Sequence, residues 1–421
     1  MKTPALRYLV GLVAAIALPA FSWAADSFEA GGILKASELL PAESLRGPSH
    51  RVRDPVVSDG YLAHITIDTD FGTFEAVGVP QALCRITEAG AIRKLVDTSK
   101  SDLFAEGLRR SIEQPIDAVK NVVTHPVDSV KQAPKTVGHF FAKVGTSIGR
   151  GVDKIVDGAS GGDSSDAGKV AASLGEAAKS ATGFDKAKLD TAKQLGVDPY
   201  SDNPRLQEEM DKVTWAFFAG GLPLRIGAFA ASAGVALAAT KMAGIPEDTY
   251  ALTQAELALR DQQSLTAMGV SAGDIGAFQN QRALGVTLRH RMVLALETLP
   301  NARGRDQIVR LASACASPEQ AEFLANALAI LAERQRAGGA DYTAVRVLGR
   351  LPGANTSAGG LEIPAPVDHV TWTEEVAAFA QRDDLGDAPK TLVHTGSLSQ
   401  AAAAGIASAG WKSVAVPYPS R

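Results

Sequence analysis

The sequence predicts a mainly helical fold with small β parts: a helical bundle preceded by a β-hairpin and followed by a small α/β unit. Three observations carry this. Hydrophobic residues make up 46% of the chain but aromatics only 6%, so the apolar surface is carried by Ala, Leu and Val, a composition that favours helices. Helical patterning runs almost without break from Leu252 to Arg336, with Leu284, Leu288, Met292, Leu296 and Leu299 as one broad stripe. Strict alternation appears towards the two ends, first where Tyr61, Ala63, Ile65 and Ile67 alternate with Leu62, His64, Thr66 and Asp68, then over Tyr342 to Arg350.

In chain order, Lys2 and Arg7 precede an apolar run from Tyr8, and Ser22 and Ala24 are spaced as a signal peptidase reads them. This predicts a secretory signal over 1–24 and an exported protein, periplasmic or envelope-associated. Removing two basic residues leaves the mature chain more acidic than the net −4 of the whole, which argues against nucleic acid as a partner. Residues 25–100 are expected to form the hairpin with a helix. Within them 26–48 is an apolar-poor arm, the hairpin turns at Thr69 to Gly72, and a helix from Pro80 carries Leu83, Ile86, Ala89, Ile92 and Val96. A second helix starts behind Ser101 and Asp102.

Residues 101–157 form a basic segment with an eleven-residue repeat, QPIDAVKNV at 114–122 and HPVDSVKQA at 125–133. Each repeat opens on a proline, which suits a first helical turn and interrupts a helix running into it. Lys120, Lys131, Lys135 and Lys143 lie beside Phe140 and Phe141. Such basic amphipathic sequence suits the surface of an anionic membrane or lipopolysaccharide, or an envelope protein; an ordinary helix with its stripe in the core explains it as well. Residues 158–166 are a Gly/Ser/Asp linker.

A bundle over 167–339 follows. It contains the Pro-punctuated loop 195–207, whose Asp198, Asp202 and Asn203 are explained by Asx and proline turns without calcium-loop spacing. It also contains the apolar stretch 214–245, expected as two helical arms around Gly220 to Pro223, either a buried hairpin or a membrane-inserted segment. Residues 340–421 are expected as strands around helices at 374–382 and 397–409, with a β-α-β unit closing the chain.

The segment Gly72 to Ala76, the two proline-led repeats and the Leu195 to Pro204 loop resemble a family of exported proteobacterial proteins. The resemblance covers about the first half of the chain, supports export, and carries no activity, ligand or catalytic residue.

Chemistry is sparse. Gly158 to Gly162 fits G-x-S-x-G around Ser160, but in a linker and not at the strand-to-helix turn that a nucleophile needs. The seven histidines are scattered without ligand spacing, so no metal, cofactor or catalytic set is expected. Thr395-Gly396-Ser397 stands where a helix start could meet an anion, or as a capped turn. Cys84 and Cys315 would either form one bridge or remain two buried thiols. The expectation is a non-enzymatic envelope protein acting through amphipathic and apolar helices. Alternatives are a periplasmic enzyme with dispersed residues and a secreted membrane-damaging effector.

Overall fold

The structure is a computed structural model, and it describes residues 28–113, 183–224, 226 and 244–419. The signal segment, the contact residues Lys120, Lys131, Lys135, Phe140, Phe141 and Lys143, the linker with Ser160, and nearly all of the second arm of the apolar stretch lie outside the described residues.

The N-terminal part is an antiparallel sheet built from β1 (Ile33–Leu34), β2 (Arg46–Gly47), β3 (His50–Val52), β4 (Val56–Ser58), β5 (Ala63–Thr69) and β6 (Gly72–Val77). The expected hairpin is present as β5 and β6, paired from His64 opposite Val77 to Thr69 opposite Gly72. It is not alone: β3 and β4 also pair with β5, and the arm supplies β1, β2 and two one-turn helices, α1 (Ala36–Leu39) and α2 (Ala42–Leu45). A bare hairpin is marginal in water. Here Ala63, Ile65 and Ile67 are buried beneath α3 (Val79–Thr98), against its Val79, Ala82, Leu83 and Ile86.

Beyond Leu83 and Ile86, α3 continues into a second cluster. Its Ala91, Ile92 and Leu95 pack with α4 (Asp102–Glu113), α5 (Gly183–Leu195) and α6 (Pro204–Ala219) through Phe104, Ala192, Leu206, Met210, Val213 and Phe217. The first arm of the apolar stretch is therefore the C-terminal part of α6, with Ala216 and Phe217 in the core. It ends where expected, at Gly220 and Gly221. Described residues on either side of the second arm lie close to the last turn of α5: Gln194 Nε2 donates to the Leu224 carbonyl, Gln194 Oε1 accepts from the Ile226 N–H, and Lys193 lies 3.5 Å from Glu247. Among the described residues no helix is long and apolar enough to cross a membrane.

A short 3-10 turn, Glu247–Tyr250, leads to α7 (Gln254–Ala267), α8 (Ala272–Asn280), α9 (Val286–Glu297), α10 (Arg305–Ser313) and α11 (Pro318–Arg336). Their apolar stripes form one core containing Phe278, Leu284, Met292, Leu296, Ile308 and Leu328. Both cysteines are free. Cys315 belongs to this helical core while Cys84 sits on α3, so no bridge ties the two parts of the chain.

The last part is a five-stranded mixed sheet in the order β13-β11-β9-β8-β7, from β7 (Tyr342–Leu348), β8 (Leu351–Thr356), β9 (Leu361–Ala365), β11 (Lys390–His394) and β13 (Trp411–Ala415). A two-stranded parallel pair, β10 (His369–Val370) with β12 (Ser397–Leu398), lies beside it. Strands β9, β11 and β13 are parallel, and α13 (Gln400–Ser408) crosses from β11 to β13 as the β-α-β expectation requires. α12 (Glu374–Ala380) packs beside α13. Strand β8, LPGANT, was not expected, because Pro352 and Gly353 remove the usual strand signal.

Candidate functional site

The polar groups that gather in this fold do so where α3, the loop between α5 and α6, and the N-terminal turns of α9 and α11 meet. They enclose a cleft of about 210 Å³. The loop is short and turns sharply around prolines, so its side chains are aimed by local hydrogen bonds. The Asp198 carboxylate accepts from the Tyr200 N–H at 2.8 Å, and Asn203 caps α6 by accepting from the Arg205 and Leu206 N–H groups.

Glu88, on the buried face of α3, ties loop and helix together. It accepts from Arg85 at 2.9 Å, from Asn203 Nδ2 at 2.8 Å and from the Ser201 hydroxyl. Arg85 also donates to Asp202 at 2.6 Å. Burial works against the Arg85 charge, but Glu88 and Asp202 outweigh it and raise its pKa above the usual guanidinium range. Arg85 and Glu88 are thus mutually satisfied parts of the wall.

Asp198 differs. It is half-buried and reaches the cleft, and beyond the Tyr200 N–H its carboxylate accepts, among the described residues, from the Thr287 hydroxyl at 2.7 Å. Burial pushes its pKa up to about 6, with the hydrogen bonds from Thr287 and Tyr200 opposing the rise. Across the cleft, Arg291 donates to Asn326 Oδ1 at 2.7 Å and lies 3.7 Å from Glu322, while Arg282 is exposed and has no ion pair among the described residues. Cys84 is half-buried on the wall, and burial, with Glu322 and Glu88 nearby, pushes its thiol far up and keeps it protonated.

No protein family model matches this chain, and no curated protein or solved structure matches it.

The loop oxygens singled out in the sequence do not converge on an ion. Asp198 turns to Thr287, Asp202 to Arg85 and Asn203 to the start of α6. No group of His, Cys, Asp or Glu among the described residues could hold a metal. The helix near Ser397 starts at Gln400 with Ser399 as its cap, and Ser397 belongs to β12, where its hydroxyl lies 2.7 Å from His369 Nδ1. His64 is hydrogen-bonded to Asp59 at 3.3 Å, as expected of a satisfied histidine. Sequence reading missed Arg85, Glu88, Arg282 and Arg291 as a set, since 206 positions separate the first from the last. One signal existed: Glu88 interrupts the apolar face of the α3 stripe, and a carboxylate buried there needs partners.

Proposed function

We propose that this chain is a non-enzymatic protein of the cell envelope that works by binding, and that the cleft takes a small polar molecule. The ligand's anionic group would face Arg282 and Arg291, and a hydroxyl or amine would donate to Asp198. The observation that supports this is Asp198, a half-buried carboxyl with acceptor capacity at the cleft. The same wall carries no histidine, and its thiol is held protonated, so the groups present suit recognition better than nucleophilic or acid–base turnover.

The test is calorimetric titration of the chain with a panel of amino acids, hydroxy acids and sugar phosphates, each beside its uncharged analogue. The reading predicts saturable binding of an anionic member and at least tenfold weaker binding to Arg282→Glu. Preference for uncharged analogues, or indifference to Arg282→Glu, would contradict it. Surface contact through Lys120, Lys131, Lys135, Lys143, Phe140 and Phe141 stays part of the proposal on sequence grounds. It predicts that exchanging the four lysines for glutamate weakens binding to anionic vesicles.

A further inference from the structure

The C-terminal unit contains a second cavity that the polar cleft does not explain. Two apolar clusters meet there without merging. One holds Tyr61, Phe323, Leu351, Val367 and Val370; the other holds Ile363, Ala380, Ile406 and Trp411. Between them lies a pocket of about 80 Å³. Protein interiors pack with few voids larger than a water molecule, and a void with apolar walls stays dry. This one opens beside α12, where Val376 and Phe379 are half-buried and Glu375 is exposed.

The polar groups of its wall are already engaged. The Tyr61 hydroxyl lies 3.3 Å from Thr373 Oγ1, and Trp411 Nε1 donates to the Ala380 carbonyl at 3.0 Å. An occupant therefore needs no hydrogen-bonding atom inside. Its size is also bounded: a cavity of ~150 Å³ takes a benzene ring, so this pocket, about half as large and open on one side, suits a small aliphatic group and not a ring.

The charged residue that lines the pocket is Glu375, and the chain that follows it is acidic on balance, with Arg382 lying over the Phe379 ring. From Glu374 to Asp387 the chain has Glu374, Glu375, Asp383, Asp384 and Asp387 against Arg382 alone, and Arg382 is paired with Asp384 at 2.5 Å. Glu374, Glu375, Asp383 and Asp387 have no ion pair among the described residues. Such a rim repels a phosphate or carboxylate headgroup and attracts a cation.

We propose that this pocket anchors an aliphatic side chain of a basic protein segment, with the partner's lysine or arginine residues facing the acidic rim at Glu375. The reading is independent of the polar cleft. The mode is that of an anchor residue in an apolar pocket with charge setting register at the edge.

The test uses an acetylated pentapeptide with one leucine between two lysines on each side. Its binding to the full chain is followed by methyl NMR at Ile363 and Ile406, which line the pocket. Expected are saturable shifts, at least tenfold weaker binding when the leucine is replaced by alanine or the lysines by glutamates, and a comparable loss for Glu375→Lys, an exposed position that leaves the core untouched. Ala380→Leu, which fills the pocket, should abolish the shifts while circular dichroism stays unchanged. If that variant does not fold, Glu375→Lys and the peptide series decide alone. Equal binding of the leucine and alanine peptides, no methyl shifts at all, or shifts produced instead by dodecanoate or phosphatidylglycerol vesicles would overturn the proposal, the last in favour of a lipid.

Discussion

Asp198 reports on pH because its ionised form is unfavourable where the fold places it. Its pKa rises from 3.8 in the free state to about 6 in the folded one. Between those values the folded chain binds more protons than the unfolded chain, so the contribution of Asp198 to stability is most favourable below pH ~4 and is lost as pH rises through about 6. Asp198→Asn keeps an acceptor for the Tyr200 N–H and the Thr287 hydroxyl but removes the titration. Melting curves from pH 4 to 8 should show the variant gaining on the wild type as pH rises; parallel curves would mean that Asp198 is ordinarily solvated. Glu88 serves the fold as a shared acceptor. Glu88→Ala leaves the Arg85, Ser201 and Asn203 donors without their shared partner and should cost about 3 kcal/mol in chemical denaturation.

Among the elements, helix boundaries follow local chemistry closely. α7 begins with a capping box in which Thr253 accepts from the Glu256 N–H and Glu256 accepts from the Thr253 N–H at 2.8 Å. Thr253→Ala should lower stability by about 1 kcal/mol, measured by urea unfolding. α4 crosses α6 at Gly107 and Gly220, where a Cβ on Gly107 would come 2.6 Å from the Ala216 carbonyl oxygen. Gly107→Ala must therefore push the helices apart, and a loss of ~1–3 kcal/mol is expected from the same measurement.

These elements also show what a sequence discloses. The α9 stripe and the β5–β6 alternation are periodic over many residues and could be predicted. Strands β1 to β4 are two or three residues long, too short for any period to register; β3 and β4 form on β5, and β1 and β2 in turn on β4 and β3. The same limit hid the cleft. Asp198 could be recognised as a turn residue, but its burial is decided by α9, which supplies Thr287 from 89 positions away.

At the scale of the molecule, one carboxylate joins the first sheet to the last unit. Asp368, which follows the end of β9, accepts from the Ala63 N–H at 2.9 Å and the Val79 N–H at 3.1 Å, and from the Tyr418 hydroxyl. Its pKa is raised by burial against these donors, and Tyr418 in turn packs on the core beneath the first sheet. Glu29 adds a second tie, its carboxylate accepting from the Trp372 N–H at 2.6 Å and the Ser399 hydroxyl at 2.5 Å. Asp368→Ala strands two buried N–H groups at ~1–3 kcal/mol each. Limited proteolysis should then cut between the helical core and the C-terminal unit faster than in the wild type.

The cleft lies between α3 and the first turns of α9 and α11. The measurement closest to the central claim is a thermal-shift titration of the wild type and Gly285→Trp against the same panel of small polar anions. Gly285 lines the cleft, has ordinary backbone angles and has no atom within 4 Å of an added Cβ, so a side chain can be added there, and a bulky one is expected to obstruct the cleft. Cleft binding predicts a saturable rise in melting temperature for the wild type and none for the variant. A rise that is equal in both, or absent from both, would contradict it.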